Sequence, residues 1–280
     1  VADLLTAARR VADEVLAPAA DATDAAAVLP RANLDALAAA GLYGLGSGEE
    51  SLLDVCAVIE TLAAACLTTS FVWTQHLGTL RSIADTENAG LRDAFLERLG
   101  RGEVRSGAAF TGGALPGPAV LHARADGDAW VFDGIAPWVS GWGRIDVMHA
   151  AARTSDGQVV WALLDARAGD GISVQPLSLL AVNASATVRA TFAGFRVPPV
   201  RVSAVVPAPE GSGVIAPTVR VHAALALGVA GRCTALIGPS PLDAELASVR
   251  AALDAAVDDP TGEVIVAPRA AVAELTVRAG

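Results

Sequence analysis

The sequence predicts an α+β chain in three blocks: an N-terminal α-helical domain, a middle antiparallel β-barrel or sandwich domain, and a C-terminal α-helical bundle. Three observations lead there. Apolar residues recur at helical spacing to about residue 104 and give way to short runs punctuated by Gly and Pro from about 105 to 208. After that, helical spacing returns. At 280 residues, 53% hydrophobic and 18% charged, the chain can bury a real core and is too apolar for a disordered polymer. Aromatic residues make up only 4%, so packing must rest on small side chains. The implied domains are 1–104, 105–208 and 209–280.

Element by element, Leu4, Ala8, Val11 and Val15 form one helical stripe, with Pro18 expected to follow its end. A second helix starts at Pro30, a good first-turn residue, and runs through Leu34 and Leu37 to Gly41 as its cap. Ser51 and Asp54 resemble a capping box ahead of the stripe Leu52, Val55, Ile59, Leu62 and Cys66. Further helices are read from Thr69 to Ala84 and around Leu91, Phe95 and Leu99, the latter closed by Gly100. Hairpins are read around Asp126-Gly127-Asp128 and Ser155-Asp156-Gly157. Val188 to Phe192 alternates like a strand, and Val197-Pro198-Pro199 closes the strand block. Thr218 to Ile237 is apolar all round, which predicts a buried helix. Leu242 to Val257 is amphipathic, and Pro268 opens a third helix.

Thirty acidic residues against 20 basic ones, all arginine, give a formal charge of −10. No basic face is available to neutralise phosphates, so nucleic acid is not an expected partner. The longest apolar run, Val219 to Gly231, is interrupted by Arg220 and His222, so no membrane span is expected. Cys56, Cys66 and Cys233 form no C-x-x-C and read as reduced core thiols. With Asp3 preceding Arg9-Arg10, no leader pattern is visible, and a cytoplasmic location is the expectation.

Several stretches match one another's context. Gly41-Leu42-Tyr43-Gly44-Leu45 follows a helix; Gly102-Glu103 precedes Gly107-Ala108-Ala109-Phe110-Thr111. Trp130-x-Phe-Asp-Gly134 leads to Trp138-Val139-Ser140. Ser185-x-Thr187 leads to Phe192-x-x-Phe195-x-Val197-Pro198. Together these resemble the acyl-CoA dehydrogenase family over nearly the whole chain, with residues 105–200 the most specific. The resemblance implies a site for FAD, with Phe110 and Thr111 on the pyrimidine side, Trp138 against the flavin and Ser140 near its N5. It also implies acyl-CoA or another acyl thioester as substrate, oxidised to the α,β-enoyl thioester, and an electron-transfer flavoprotein downstream. A homodimer or tetramer, possibly with a related subunit, is implied as well. Fixed donors near the flavin's N1 and O2 favour hydride acceptance.

The chain also departs from the family pattern. After Thr111 it reads Gly112-Gly113-Ala114-Leu115-Pro116 instead of a Glu-Pro stretch with a later serine, although the two glycines leave backbone amides free to approach phosphate. Ala136 replaces the family lysine, and Ile237-Gly238-Pro239-Ser240 replaces an Arg-x-x-Phe-Gly stretch that holds FAD across subunits. The family's base is a glutamate with a raised pKa. At one of its two usual places stand Thr218 and Val219, and Glu210 is read as a loop residue. The catalytic residue is therefore unassigned. Two alternatives stay open: a non-catalytic subunit or binding scaffold that pairs with a full-length relative, and a flavin-dependent monooxygenase. The third block reads as two helices and the start of a third, short of the four-helix bundle the resemblance implies. Further chain or a partner would then complete it.

Other features carry less. His76, His122, His149 and His222 fall on four elements without metal spacing, and no G-x-S-x-G occurs. Gly44, Gly46 and Gly48 lack a preceding strand and read as a loop, and Asp258-Asp259 as a helix end.

Overall fold

The computed structural model describes residues 2–48, 50–209, 215–259 and 261–280. The N-terminal stripe makes α1 (Ala2–Val11), a π-helical turn (Ala12–Leu16) and α2 (Ala17–Ala26) in one continuous run. Pro18 does not end the helix. The wide turn lets the Ala17 N–H reach back to the Ala12 carbonyl, and Pro18, which has no N–H, then falls in the first turn of α2, where none is needed. Pro30 caps α3 (Arg31–Ala39) from just outside it, and Gly41 takes the left-handed conformation that ends it. Ser51 caps α4 (Leu52–Ala65) by accepting the Asp54 N–H at 3.2 Å.

Helix α5 (Leu67–Ala84) is followed by α6 (Ala89–Gly100). The terminating glycine of α6 is Gly102, with φ +68°, and not Gly100, which is still helical. A Cβ on Gly102 would sit 2.7 Å from the Tyr43 ring, so the same residue serves the turn and the contact between α6 and the 42–44 turn.

The strands β1 (Ser106–Ala109), β2 (Leu121–Asp126), β3 (Ala129–Val139), β4 (Val147–Arg153), β5 (Gln158–Asp165), β6 (Ile172–Pro176), β7 (Val188–Val197) and β8 (Val202–Pro207) form one sheet in the order β6-β7-β3-β2-β4-β5-β8. Most pairs are antiparallel, but β4 pairs in parallel with β1 and, at one position, with β2. The sheet encloses a core with Phe132, Met148, Val160, Phe192 and Val197 at its centre. Pro198-Pro199 does not close the strand block. A short turn at Pro199–Arg201 redirects the chain into β8, which pairs with β5. The alternating Val202, Ala204 and Val206 are the signal that the double proline obscured.

The C-terminal block holds α7 (Ala216–Ile237), α8 (Pro241–Ala255) and α9 (Val266–Ala279). By length and composition α7 could cross a membrane, but here it packs on α4, α8 and α9. Its Ala224 and Leu225 join the core of the N-terminal helices, while Ala223, Leu227 and Ala230 face Leu253, Val272 and Leu275. The two helical blocks thus share α7. The approach of α4 is close enough to exclude any side chain at Gly228, whose added Cβ would lie 2.4 Å from the Glu60 carbonyl.

Candidate functional site

Strand β1 and its continuation to Gly112 lie against the second half of β3. A Cβ on Gly107 would meet the Ser140 carbonyl at 2.9 Å, and one on Gly112 the Ile135 carbonyl at 2.3 Å. Phe110 and Thr111 therefore come from a segment that runs beside the one carrying Trp138 and Ser140. Along β3, Ala136 pairs with Ala190 and Val139 with Val188. Three steps on one strand match two on its partner. Pro137, which has no N–H to give the ladder, sits in this extra-residue bulge. The bulge leaves Trp138 exposed (58%) and places Val139 and Ser140, although adjacent, both inside.

The four residues differ in what they offer. The Thr111 hydroxyl is buried with no hydrogen-bond partner among the described residues. A buried hydroxyl without a partner is destabilising by about 1–3 kcal/mol, so this one marks a place where a polar ligand atom fits. Trp138 presents its indole to the outside. Ser140 Oγ lies 2.9 Å from Thr187 Oγ1, which lies 2.7 Å from Ser185 Oγ. The Phe110 ring is 6.3 Å from Trp161 on β5, and its carbonyl accepts the Gly113 and Ala114 amides at 3.2 and 2.9 Å.

The turn that carries Ser185 and Thr187 is docked by backbone. Gly141 donates to the Ser185 carbonyl at 2.7 Å and Trp142 to the Ala186 carbonyl at 3.2 Å. Val182 and Ala186 are both left-handed, with φ of 54° and 47°. That conformation is unusual for any non-glycine and more so for a β-branched valine, and it is kept where surrounding contacts impose it.

After Thr111, the Gly113 and Ala114 amides are not free. Gly113 N–H is taken by Phe110, and the Gly112 carbonyl accepts Val120 and Leu121 at 2.8 and 2.9 Å. The two glycines serve packing: a Cβ on Gly113 would lie 2.3 Å from the Ala151 carbonyl. Arg153 gathers the loop by its carbonyls, donating to Gly113 at 2.9 Å, Gly117 at 2.7 Å and also Leu115. A phosphate cradle of open amides is therefore not built at Gly113. Thr111 offers an unpartnered hydroxyl, Ser140 the end of a hydroxyl chain and Trp138 an exposed aromatic face, a set of groups compatible with a flavin ring.

Behind Phe110, the Trp161 ring lies 4.9 Å from His149, whose Nε2 is 2.8 Å from Ser203 Oγ. Burial pushes His149 down to about 4, so it is neutral near pH 7. At the head of β1, His76 Nδ1 accepts the Ser106 N–H at 3.0 Å, which leaves Nε2 to donate to the Leu99 carbonyl at 3.1 Å. Burial pushes His76 down to about 3. This neutral ring ties β1 to α5 and α6.

At the start of α7, Thr218 and Val219 precede Arg220, which is 2% exposed. Arg220 bonds Asp254 Oδ1 at 2.7 Å and Glu60 Oε1 at 2.9 Å, and Arg250 takes the other Glu60 oxygen at 2.8 Å. Both oxygens of Glu60 are thus engaged by guanidinium groups, and it is not a free base. Glu210 lies outside the described residues. Sequence reading missed this cluster because Glu60 and Arg220 stand 160 residues apart. It also missed the link from Ser140 to Thr187, although Ser185-x-Thr187 was itself legible.

Residues 2–103 match the model of the acyl-CoA dehydrogenase N-terminal domain. No curated protein sequence matches the chain. Among solved structures, butyryl-CoA dehydrogenase from Megasphaera elsdenii is similar over 99% of this chain and 84% of its own, at 16% identity and TM-score 0.76. Glutaryl-CoA dehydrogenase from Mycobacterium smegmatis, in complex with FADH2, is similar over 99% and 81%, at 18% identity and TM-score 0.77. Nitrososynthase from Micromonospora carbonacea var. africana is similar over 99% and 83%, at 20% identity and TM-score 0.75.

Proposed function

From a chain that carries the acyl-CoA dehydrogenase N-terminal domain in residues 2–103 and takes that fold throughout, we propose a flavin-dependent oxidoreductase with FAD as its cofactor. The observation that carries the reading is the buried, unpartnered Thr111 hydroxyl beside the strand that bears Trp138 and Ser140. Thr111 and Ser140 would hold the ring by hydrogen bonds at its edge, and Trp138 would cover it. When bound, FAD supplies a hydride acceptor. The protein's part is to hold the ring in register, keep water from it and fix donors at its edge before reaction.

The reaction proposed first is α,β-dehydrogenation of an acyl thioester, with an electron-transfer flavoprotein as acceptor. It requires a carboxylate at the substrate α-carbon. Thr218 and Val219 cannot supply it, and Glu60 is held by two arginines. A second reading, a flavin-dependent monooxygenase, has no need of a thioester base. A related subunit that brings the carboxylate is the third.

The visible spectrum of the purified protein with added FAD, before and after anaerobic acyl-CoA, separates these. A flavin band that bleaches under acyl-CoA supports the dehydrogenase. Oxygen-dependent formation of an oxygenated product with supplied reduced flavin, and no response to acyl-CoA, supports the monooxygenase. Bleaching that needs a co-expressed relative supports the paired subunit, and failure to take up FAD removes the dehydrogenase and the monooxygenase and leaves the non-catalytic subunit or scaffold.

A further inference from the structure

Ser140, Thr187 and Ser185 form an unbranched chain of hydroxyls, and counting their protons gives it a direction. Each hydroxyl can donate once. Two bonds join the three oxygens, so two protons are used inside the chain and one is left over. If Thr187 donates to Ser185, the leftover proton is on Ser185, which is fully buried (0%) and, among the described residues, bonds only Thr187 through its side chain. If Thr187 accepts from both neighbours, the leftover proton is its own; if Ser185 donates to Thr187 and Thr187 to Ser140, it is on Ser140. These two hydroxyls are equally buried (5% and 6%). Ser140 is the one that the flavin reading sets at the ring's edge, so only the last polarity lets the ring satisfy all three protons, and the ring atom it meets must be an acceptor.

We propose that Thr187, whose oxygen Ser185 satisfies, is a positioning residue that makes Ser140 a one-way hydrogen-bond donor. The inference rests on the flavin reading above. The ring's N5 is an acceptor when oxidised and carries a hydrogen when reduced. A Ser140 locked as donor therefore favours the oxidised ring. To accept from the reduced ring Ser140 must instead donate to Thr187, which strands a proton on buried Thr187 or Ser185. The strained turn at Val182 and Ala186, held by the Gly141 and Trp142 amides, keeps Ser185 and Thr187 in place for this. No charge is moved and no bond other than hydrogen bonds changes.

The test compares FAD and FADH2 dissociation constants, measured anaerobically, for the wild type, Thr187→Val and Thr187→Ser. Thr187→Val keeps the shape and frees Ser140 to donate or accept. Its preference for oxidised over reduced flavin should fall about fivefold, the worth of one neutral hydrogen bond. Thr187→Ser should restore the wild-type preference, which a merely structural role for the methyl group would not do. If Thr187→Val does not fold by circular dichroism, Thr187→Ala is measured in its place with the same expectation. An unchanged preference, in a protein that binds FAD and loses affinity on Ser140→Ala, overturns the proposal and leaves the flavin reading standing. A wild type that binds no FAD overturns both, and the wild-type titration alone identifies that case.

Discussion

Two buried polar clusters sit on either side of this fold and are built on opposite plans. Between the helical blocks, Arg220 is clamped by Glu60 and Asp254, with Arg250 completing the set through Glu60. On the sheet, Ser140, Thr187 and Ser185 are neutral, as are His149 with Ser203 and His76 with Ser106. The ionic cluster has one electrostatically sensible arrangement, and removal of any member leaves a charge exposed to a poor solvent. The neutral groups carry no charge, and what orders them is the direction of their protons. The joint between helical blocks is therefore held by charge, and the face where a ligand would act by neutral hydrogen bonds.

Acid should break this distinction most strongly, from the neutral side. His76 and His149 have folded pKa values of about 3 and 4, below the ordinary value of 6.5, because burial disfavours their charged forms. Their folded pKa values are depressed, so the unfolded state binds more protons in this range. Stability is fully present above about pH 6.5 and is lost as pH falls towards 4, by on the order of a few kcal/mol for each ring. Thermal melts from pH 7.5 to 4.5 should show a steady fall in Tm, and His149→Gln should flatten it. A melting temperature independent of pH over that range would remove the neutral-histidine argument.

Next in size is Arg220→Met. It leaves Asp254 without its partner and Glu60 with one, and should cost about 3–5 kcal/mol. The triple replacement Arg220→Met, Glu60→Gln and Asp254→Asn should recover much of that loss, since it removes the stranded charges as well. If the triple variant melts no higher than the single one, the cluster acts through packing alone. Gly228→Ala tests the same joint sterically. Its new Cβ would meet the Glu60 carbonyl at 2.4 Å and the Ala63 Cβ at 2.8 Å, backbone and side chain that cannot both yield, and should cost about 1–3 kcal/mol.

The same contrast explains what could be read from the sequence. Helices and hairpins were legible because their signals are local: apolar spacing, Ser51 before its helix, Gly127 and Gly157 at turns. Pro18 misled because a π-helical turn can absorb a proline, and periodicity alone does not show one. The strand after Pro198-Pro199 was hidden by the breaker before it. At the site, the residue types at Thr111, Trp138 and Ser140 were legible from their context, but their chemical states were not. That Thr111 is unpartnered, that Gly113 has no free amide and that Ser140 ends a chain of hydroxyls all depend on residues distant in sequence. The ionic cluster joins α4, α7 and α8, and no local pattern announces it.

The smallest effect, and the sharpest for the comparison, belongs to Ser185→Ala. It removes the buried end of the hydroxyl chain while leaving the Ser185 backbone carbonyl to accept the Gly141 N–H. Thr187 loses a donor but keeps its bond to Ser140, and no charge is uncovered. The expected change is about 1 kcal/mol or less, read as a small shift in Tm. The direction of the chain should also survive, because Thr187 still has its own proton to place and only Ser140 to receive it. The preference for oxidised over reduced flavin should therefore stay near wild type in Ser185→Ala while it falls in Thr187→Val. A Ser185→Ala loss as large as that of Arg220→Met would show that the neutral hydroxyls are as costly to disrupt as the charged cluster, and the division between a joint held by charge and a face held by neutral hydrogen bonds would not hold.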